Sequence, residues 1–172
     1  MPSAQTLSET DRRLVAVWAA DCAERVLPLF EAEAPDDDRP RDAIDRARAF
    51  GRGELSAAGE IRRRFVANRA AQAVASPAAR TAAWSAGQAS GVAHMGAHAL
   101  GAAAYAAKAV ALAAGDPGLS GAAEAELAWQ LGRMSDPVRT ALRLLPALGE
   151  DASGPLGAGL LATGLLGESI RR

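Results

Sequence analysis

Alanine fills about a quarter of this chain and clusters in runs such as AHMGAHALGAAAYAAKA, from Ala93 to Ala109. Such runs leave the backbone little choice. Alanine is the strongest helix former and is depleted in strands. No segment alternates apolar with polar residues at the period of a half-buried strand, so the expected fold is all-α. The small side chains also predict how the helices meet, because alanine lets two backbones approach closely. Aromatic residues make up only 4% of the sequence, so its tryptophans and phenylalanines must act as the large wedges between helices. A chain of 172 residues is most simply one compact domain with a buried core. The expectation is a single compact bundle of about six or seven helices.

Start and stop signals place the elements. Ser8 with Asp11 resembles a capping box, and Leu14, Val15, Val17, Trp18, Cys22, Val26, Leu29 and Phe30 come after it at helical spacing. A first helix is expected from about Glu9 to Glu33, with Pro28 bending its last turns. PDDDRPRDAI marks a new start, with Asp37 or Asp38 as cap and Pro40 in the first turn. The second helix runs to about Phe50, where GRG interrupts. A third, from about Ser56 to Val74, carries Ile61, Phe65 and Val66 on one side and arginines on the other. SPAAR opens another helix at Ser76. Gly87, Gly91, Gly96 and Gly101 weaken the alanine-rich stretch beyond it by up to about 1 kcal/mol each, so a break is expected near Gly87 to Gly91, then helix through Ala114. GDPGLSG is a turn. Helices from about Ala122 to Gly132 and from Pro137 to Leu148 complete a helical domain over residues 1–150. The Gly-rich apolar tail, residues 151–172, is either a short docked helix or a loose end. Its lone GxG at Gly157 lacks the lysine and preceding strand of a phosphate loop.

Charge is balanced overall, at a formal net −1, which argues against a generally basic nucleic-acid binder. Its distribution is uneven. Nine acidic residues lie between Glu9 and Asp38, against Arg12, Arg13 and Arg25; nine arginines lie between Arg39 and Arg69. One helical region is acidic and the next basic, which favours packing between them or a polarised surface. Arg39, Arg41, Arg62 and Arg63 are the candidates for binding an acidic partner, and the lack of aromatic platforms beside them makes nucleic acid a poor fit. A lone cysteine, Cys22, fits a reducing cytoplasm. The N-terminus has no signal-peptide pattern and no apolar run is long enough for a membrane span.

One segment stands out. Both histidines, the sole tyrosine and the sole lysine of the chain fall between His94 and Lys108. At about 100° per residue, positions 94, 98, 101, 105 and 108 fall within an arc of roughly 80°. His94, His98, Tyr105 and Lys108 thus form one predicted stripe, with Gly101 leaving room for a backbone or a ligand atom. The bland reading is a structural polar stripe. The functional ones are a ligand or partner site, or a divalent metal held by His94 and His98 with a carboxylate such as Asp21. Met95 stands where HExxH needs its glutamate, so the stripe is not that motif. A lysine among eighteen arginines suits a tight interface that a planar guanidinium would not fit. Asp21 and Arg25, in DCAER, form a second polar cluster and an expected ion pair one turn apart. Cys22 between them reads as a small core residue rather than a nucleophile.

WAADCAERVLPLFE at Trp18 to Glu31, DRPRDAIDRARAFGRGE at Asp38 to Glu54, AHMGAHALGAAAYAAKA and EAELAWQLGRM at Glu124 to Met134 together resemble the putative immunity protein family, the type-five-like immunity domain of bacterial toxin systems. The resemblance covers about Arg13 to Arg143 and leaves the tail outside. It implies an all-helical cytoplasmic protein that binds and neutralises a cognate toxin without being an enzyme. The other reading of the residues is a metal- or small-ligand-binding protein, or an enzyme, that uses His94, His98, Tyr105 and Lys108. A homo-oligomer built on the small-residue surfaces fits either reading.

Overall fold

Ser8 caps the first helix as its spacing to Asp11 predicts: the hydroxyl oxygen accepts from the Asp11 backbone N–H at 3.1 Å. The computed structural model describes residues 3–63, 65–116, 121–146 and 161–172. Among these it shows nine α-helices, one 3-10 turn and no strand. The all-α expectation holds. In chain order the helices are α1 (Glu9–Glu31), α2 (Arg39–Gly51), α3 (Ala57–Arg63), α4 (Val66–Ala70), α5 (Pro77–Gly91), α6 (His98–Ala113), α7 (Ala122–Gly132), α8 (Asp136–Arg143) and α9 (Leu161–Arg171); the 3-10 turn spans Ala71–Ala73.

Alanine decides the centre of the bundle. α5 and α6 pack most extensively against each other, and α1 lies against both. Ala99, Ala102, Ala103, Ala104, Ala106, Ala107, Ala109 and Ala111 are fully buried, so α6 is enclosed on nearly every side. Larger side chains come from the outer helices. α1 buries Val15, Trp18, Cys22, Val26 and Phe30 at steps of three and four, and α2 adds Ile44 and Phe50. Each fully buried large apolar side chain contributes about 1.5–3 kcal/mol relative to exposure. Of the two arrangements open to the acidic and basic regions, the structure shows them packed together along α1 and α2. Arg48 on α2 reaches Asp21 at 2.8 Å and Glu24 at 2.6 Å on α1, and Arg41 reaches Glu31 at 2.6 Å.

Two predicted elements differ most from expectation, and α8, expected to reach Leu148, ends at Arg143. The single helix foreseen from Ser56 to Val74 is broken into α3, α4 and the 3-10 turn. Its supposed apolar face does not exist as a stripe, since Phe65 is 51% exposed. α3 is held instead by buried Glu60, whose carboxylate accepts from both Nε and Nη2 of Arg46 at 3.1 and 2.6 Å. α4 turns Ala67 and Ala70 inward. Different anchors demand different helix directions, and the chain breaks between them.

The second difference lies at Gly87 to Gly96. α5 runs through Gly87 and ends at Gly91, and α6 begins only at His98. Between them, the N–H groups of Gly96 and Ala97 donate to the carbonyls of Thr6 and Gln5 at 2.9 and 3.0 Å. The N-terminal strap therefore takes donors that a continuous helix would use itself. Leu7, at φ 61°, lies so close to Gly96 that a Cβ there would collide with its side chain.

Of the two alternatives for the tail, the described part is a docked helix. α9 packs against α6 and α8, and its Leu166 and Ile170 join the core that holds Val15 and Trp18. Arg143 donates to the Ile170 carbonyl at 2.8 Å, and Arg171 to that of Leu145 at 3.0 Å. The GxG at Gly157 and most of the GDPGLSG turn lie outside the described residues.

Candidate functional site

The predicted stripe is only partly a stripe. His98, Tyr105 and Lys108 share α6, but His94 sits in the turn before it and is exposed. The helix begins four residues too late to carry it, because the N-terminal strap has captured the turn. The two imidazoles stand 6.5 Å apart between ring centres, tilted by 40°. Among the described residues, no third His, Cys, Asp or Glu joins His94 and His98 in a group that could hold a metal ion. Asp21, the carboxylate suggested as third ligand, pairs with Arg48.

What α6 presents instead is a polar cleft shared with α4 and α5. Asn68, Trp84, Gln88 and Tyr105 line about 250 Å³. Tyr105 leans against Trp84 with ring centres 5.7 Å apart and an interplanar angle of 56°. His98 stands behind Gln88, its Nδ1 2.7 Å from Gln88 Oε1. An amide oxygen only accepts, so the imidazole Nδ1–H is the donor. Burial raises the Tyr105 pKa, keeping the phenol protonated. Lys108 is half-buried one helical turn beyond Tyr105.

Glycines make the cleft possible. A Cβ at Gly87 would collide with the Asn68 amide, and one at Gly101 with the Gln88 amide. A Cβ at Gly91 would come within 2.9 Å of the His98 ring. The residues that weaken these helices are thus the notches that receive the polar side chains. The stripe pointed to His98, Tyr105 and Lys108 but missed Asn68, Trp84 and Gln88. The signal that could have found them was the recurrence of glycine in two otherwise alanine-rich helices.

The DCAER cluster is also rearranged. Asp21 and Arg25 do not turn toward one another; Asp21 goes to Arg48, and Arg25 crosses to α7. There its Nε lies 2.9 Å from Glu126 Oε2, while its guanidinium stacks over Trp129 at 4.0 Å. Glu126 is buried at 3% exposure and also accepts from Gln130 Nε2 at 3.3 Å. Gln130 Nε2 donates onward to the Ala103 carbonyl, and the Trp18 indole donates to the Gln130 carbonyl at 2.9 Å. This network fastens α7 to α1 and α6. Burial, then the nearby Glu126 and Asp21 charges, push the Cys22 thiol well up, so it is an inert core group.

Three of the four arginines considered for partner binding are engaged within the chain. Arg39 pairs with Asp37 at 2.5 Å, Arg41 with Glu31, and Arg63 with Asp42 at 3.0 Å. Arg62 is exposed. No helix among the described residues is long and apolar enough to cross a membrane.

No match was found among curated proteins or among solved structures. Residues 5–137, from the N-terminal strap into α8, match the family described as Imm-5 like putative immunity protein. With more than three quarters of its length inside that match, the chain belongs to the Imm-5 like putative immunity protein family.

Proposed function

We propose that this protein binds a cognate toxin and neutralises it by occupying its surface, without catalysing a reaction. Family membership over residues 5–137 carries the reading. The charge distribution adds to it. Arg41 and Arg48 on the α1–α2 side are paired within the chain, so a partner gains little electrostatic attraction from them. The α4–α5–α6 side presents Trp84 at 37% exposure and Phe65 at 51%, residue types enriched where proteins meet.

The test is co-expression with the toxin gene encoded beside it, followed by co-purification and a survival assay. Stable complex and restored growth are expected. Failure to bind or protect against any adjacent toxin would overturn the reading. A second reading, a small-ligand site, draws on the convergence of Tyr105 and, through Gln88, His98 on one cleft. A ligand that raises the melting temperature of the isolated protein would favour it.

A further inference from the structure

We infer that the cleft between α4, α5 and α6 receives a carboxylate-bearing side chain of the protein partner. The inference rests on the toxin-binding reading and deepens it by naming the anchor and the chemistry it seeks.

Size favours a side chain over a free metabolite. Whole small molecules occupy sites of roughly 300–1,000 Å³, and this cleft measures about 250 Å³. Trp84 in its lining is 37% exposed, so the cleft reaches the surface. Aromatic walls around a small recess are typical of the pockets that dominate interface energetics.

Hydrogen-bonding capacity then selects the sign of charge. Gln88 commits its oxygen to His98, which leaves its amide Nε2, a group that only donates. The Trp84 indole N–H also only donates, while the Tyr105 hydroxyl and the Asn68 amide can each donate as well as accept. Among the described residues, no acidic side chain lines the cleft. Lys108, the sole lysine of the chain, lies three residues beyond Tyr105 on the same face of α6. A guanidinium or ammonium from the partner would enjoy the aromatic faces but would find no carboxylate in the lining. An Asp or Glu side chain can accept hydrogen bonds from these lining groups, with Lys108 one helical turn away along α6. Charge-assisted hydrogen bonds of this kind are roughly twice as strong as neutral ones.

The experiment uses the full chain labelled with ¹⁵N and follows the indole N–H signals. N-acetyl-glutamate amide is the probe and N-acetyl-glutamine amide its uncharged isostere. Saturable movement of the Trp84 signal is expected with the acid alone, and Lys108→Gln and Tyr105→Phe should each weaken it several-fold. With the toxin in hand, Trp84→Ala is expected to weaken the complex about tenfold or more, and Lys108→Gln to weaken it several-fold while the melting temperature stays near wild type. No movement with the acid, or equal movement with the isostere, overturns the inference. A toxin complex indifferent to both Trp84→Ala and Lys108→Gln also overturns it but leaves the toxin-binding function standing. Movement with the acid but no toxin binding overturns the function, and with it the assignment of the carboxylate to a protein partner.

Discussion

The ion pair between Arg25 and Glu126 offers a quantitative test of how α7 is held. Glu126 is 3% exposed and Arg25 41% exposed in their side chains. Removing one partner of a fully buried pair costs about 3–5 kcal/mol, because the other charge is left stranded. Here the surviving Arg25 would remain partly hydrated and stacked on Trp129, so the cost of Glu126→Ala should fall to about 2 kcal/mol after that discount. For a chain of this size the loss corresponds to roughly 4–8 °C in melting temperature. Arg25→Ala should be worse per charge removed, since it strands the buried carboxylate. A double-mutant cycle on the two residues isolates their coupling. Arg52 and Glu54 provide an internal control: they pair at 2.6 Å with both side chains more than half exposed. Their coupling should vanish within measurement error. Chemical denaturation of the two cycles under identical salt is the assay. Equal coupling in both pairs would refute the claim that burial sets the energy.

Three further outcomes are expected. Gly87→Ala should destabilise by about 1–3 kcal/mol through overpacking against Asn68, whereas Gly132→Ala, which meets nothing within 4 Å, should stabilise by up to about 1 kcal/mol; thermal melts of the two variants move in opposite directions. The Ser76 hydroxyl, and after it the Ala75 and Ser76 backbone N–H groups at the start of α5, donate to Glu33 and lower its pKa from 4.5. Its contribution is therefore fully present above pH 4.5 and is lost as pH falls through the lowered value; a Glu33→Gln variant should show a shallower acid limb in a melting-temperature profile. Cys22, buried and with a raised pKa, should react with a thiol reagent only as fast as the protein unfolds, so rapid labelling of the native chain would contradict its placement.

Local signals in the chain proved sufficient for most helices. Ser8 with Asp11 marked the start of α1, Ser76 with Pro77 that of α5, and both serines accept the backbone bond expected of a cap. α7 lies where the composition placed it. These signals are short-range, and the energies they report do not depend on what packs nearby. The errors share one cause. α3 and α4 are separated because Glu60 answers to Arg46 while Ala67 and Ala70 answer to the core. The helix expected to carry His94 begins late because Gln5 and Thr6, some ninety residues earlier in the chain, claim the donors of Gly96 and Ala97.

The sequence by itself determined that this chain is helical and built on small residues, that an acidic helical region is followed by a basic one, and that His98, Tyr105 and Lys108 share a helix face. Propensity, capping and period suffice for those, being properties of neighbouring residues. Only the tertiary structure decided that Arg25 would leave Asp21 for Glu126, that the tail would seat Leu166 and Ile170 in the core, and that glycines on α5 and α6 would open notches for Gln88 and Asn68. Each of those depends on which surfaces come together. A charge takes the partner that best offsets its burial, and a missing Cβ matters only where another helix comes close enough to fill its place.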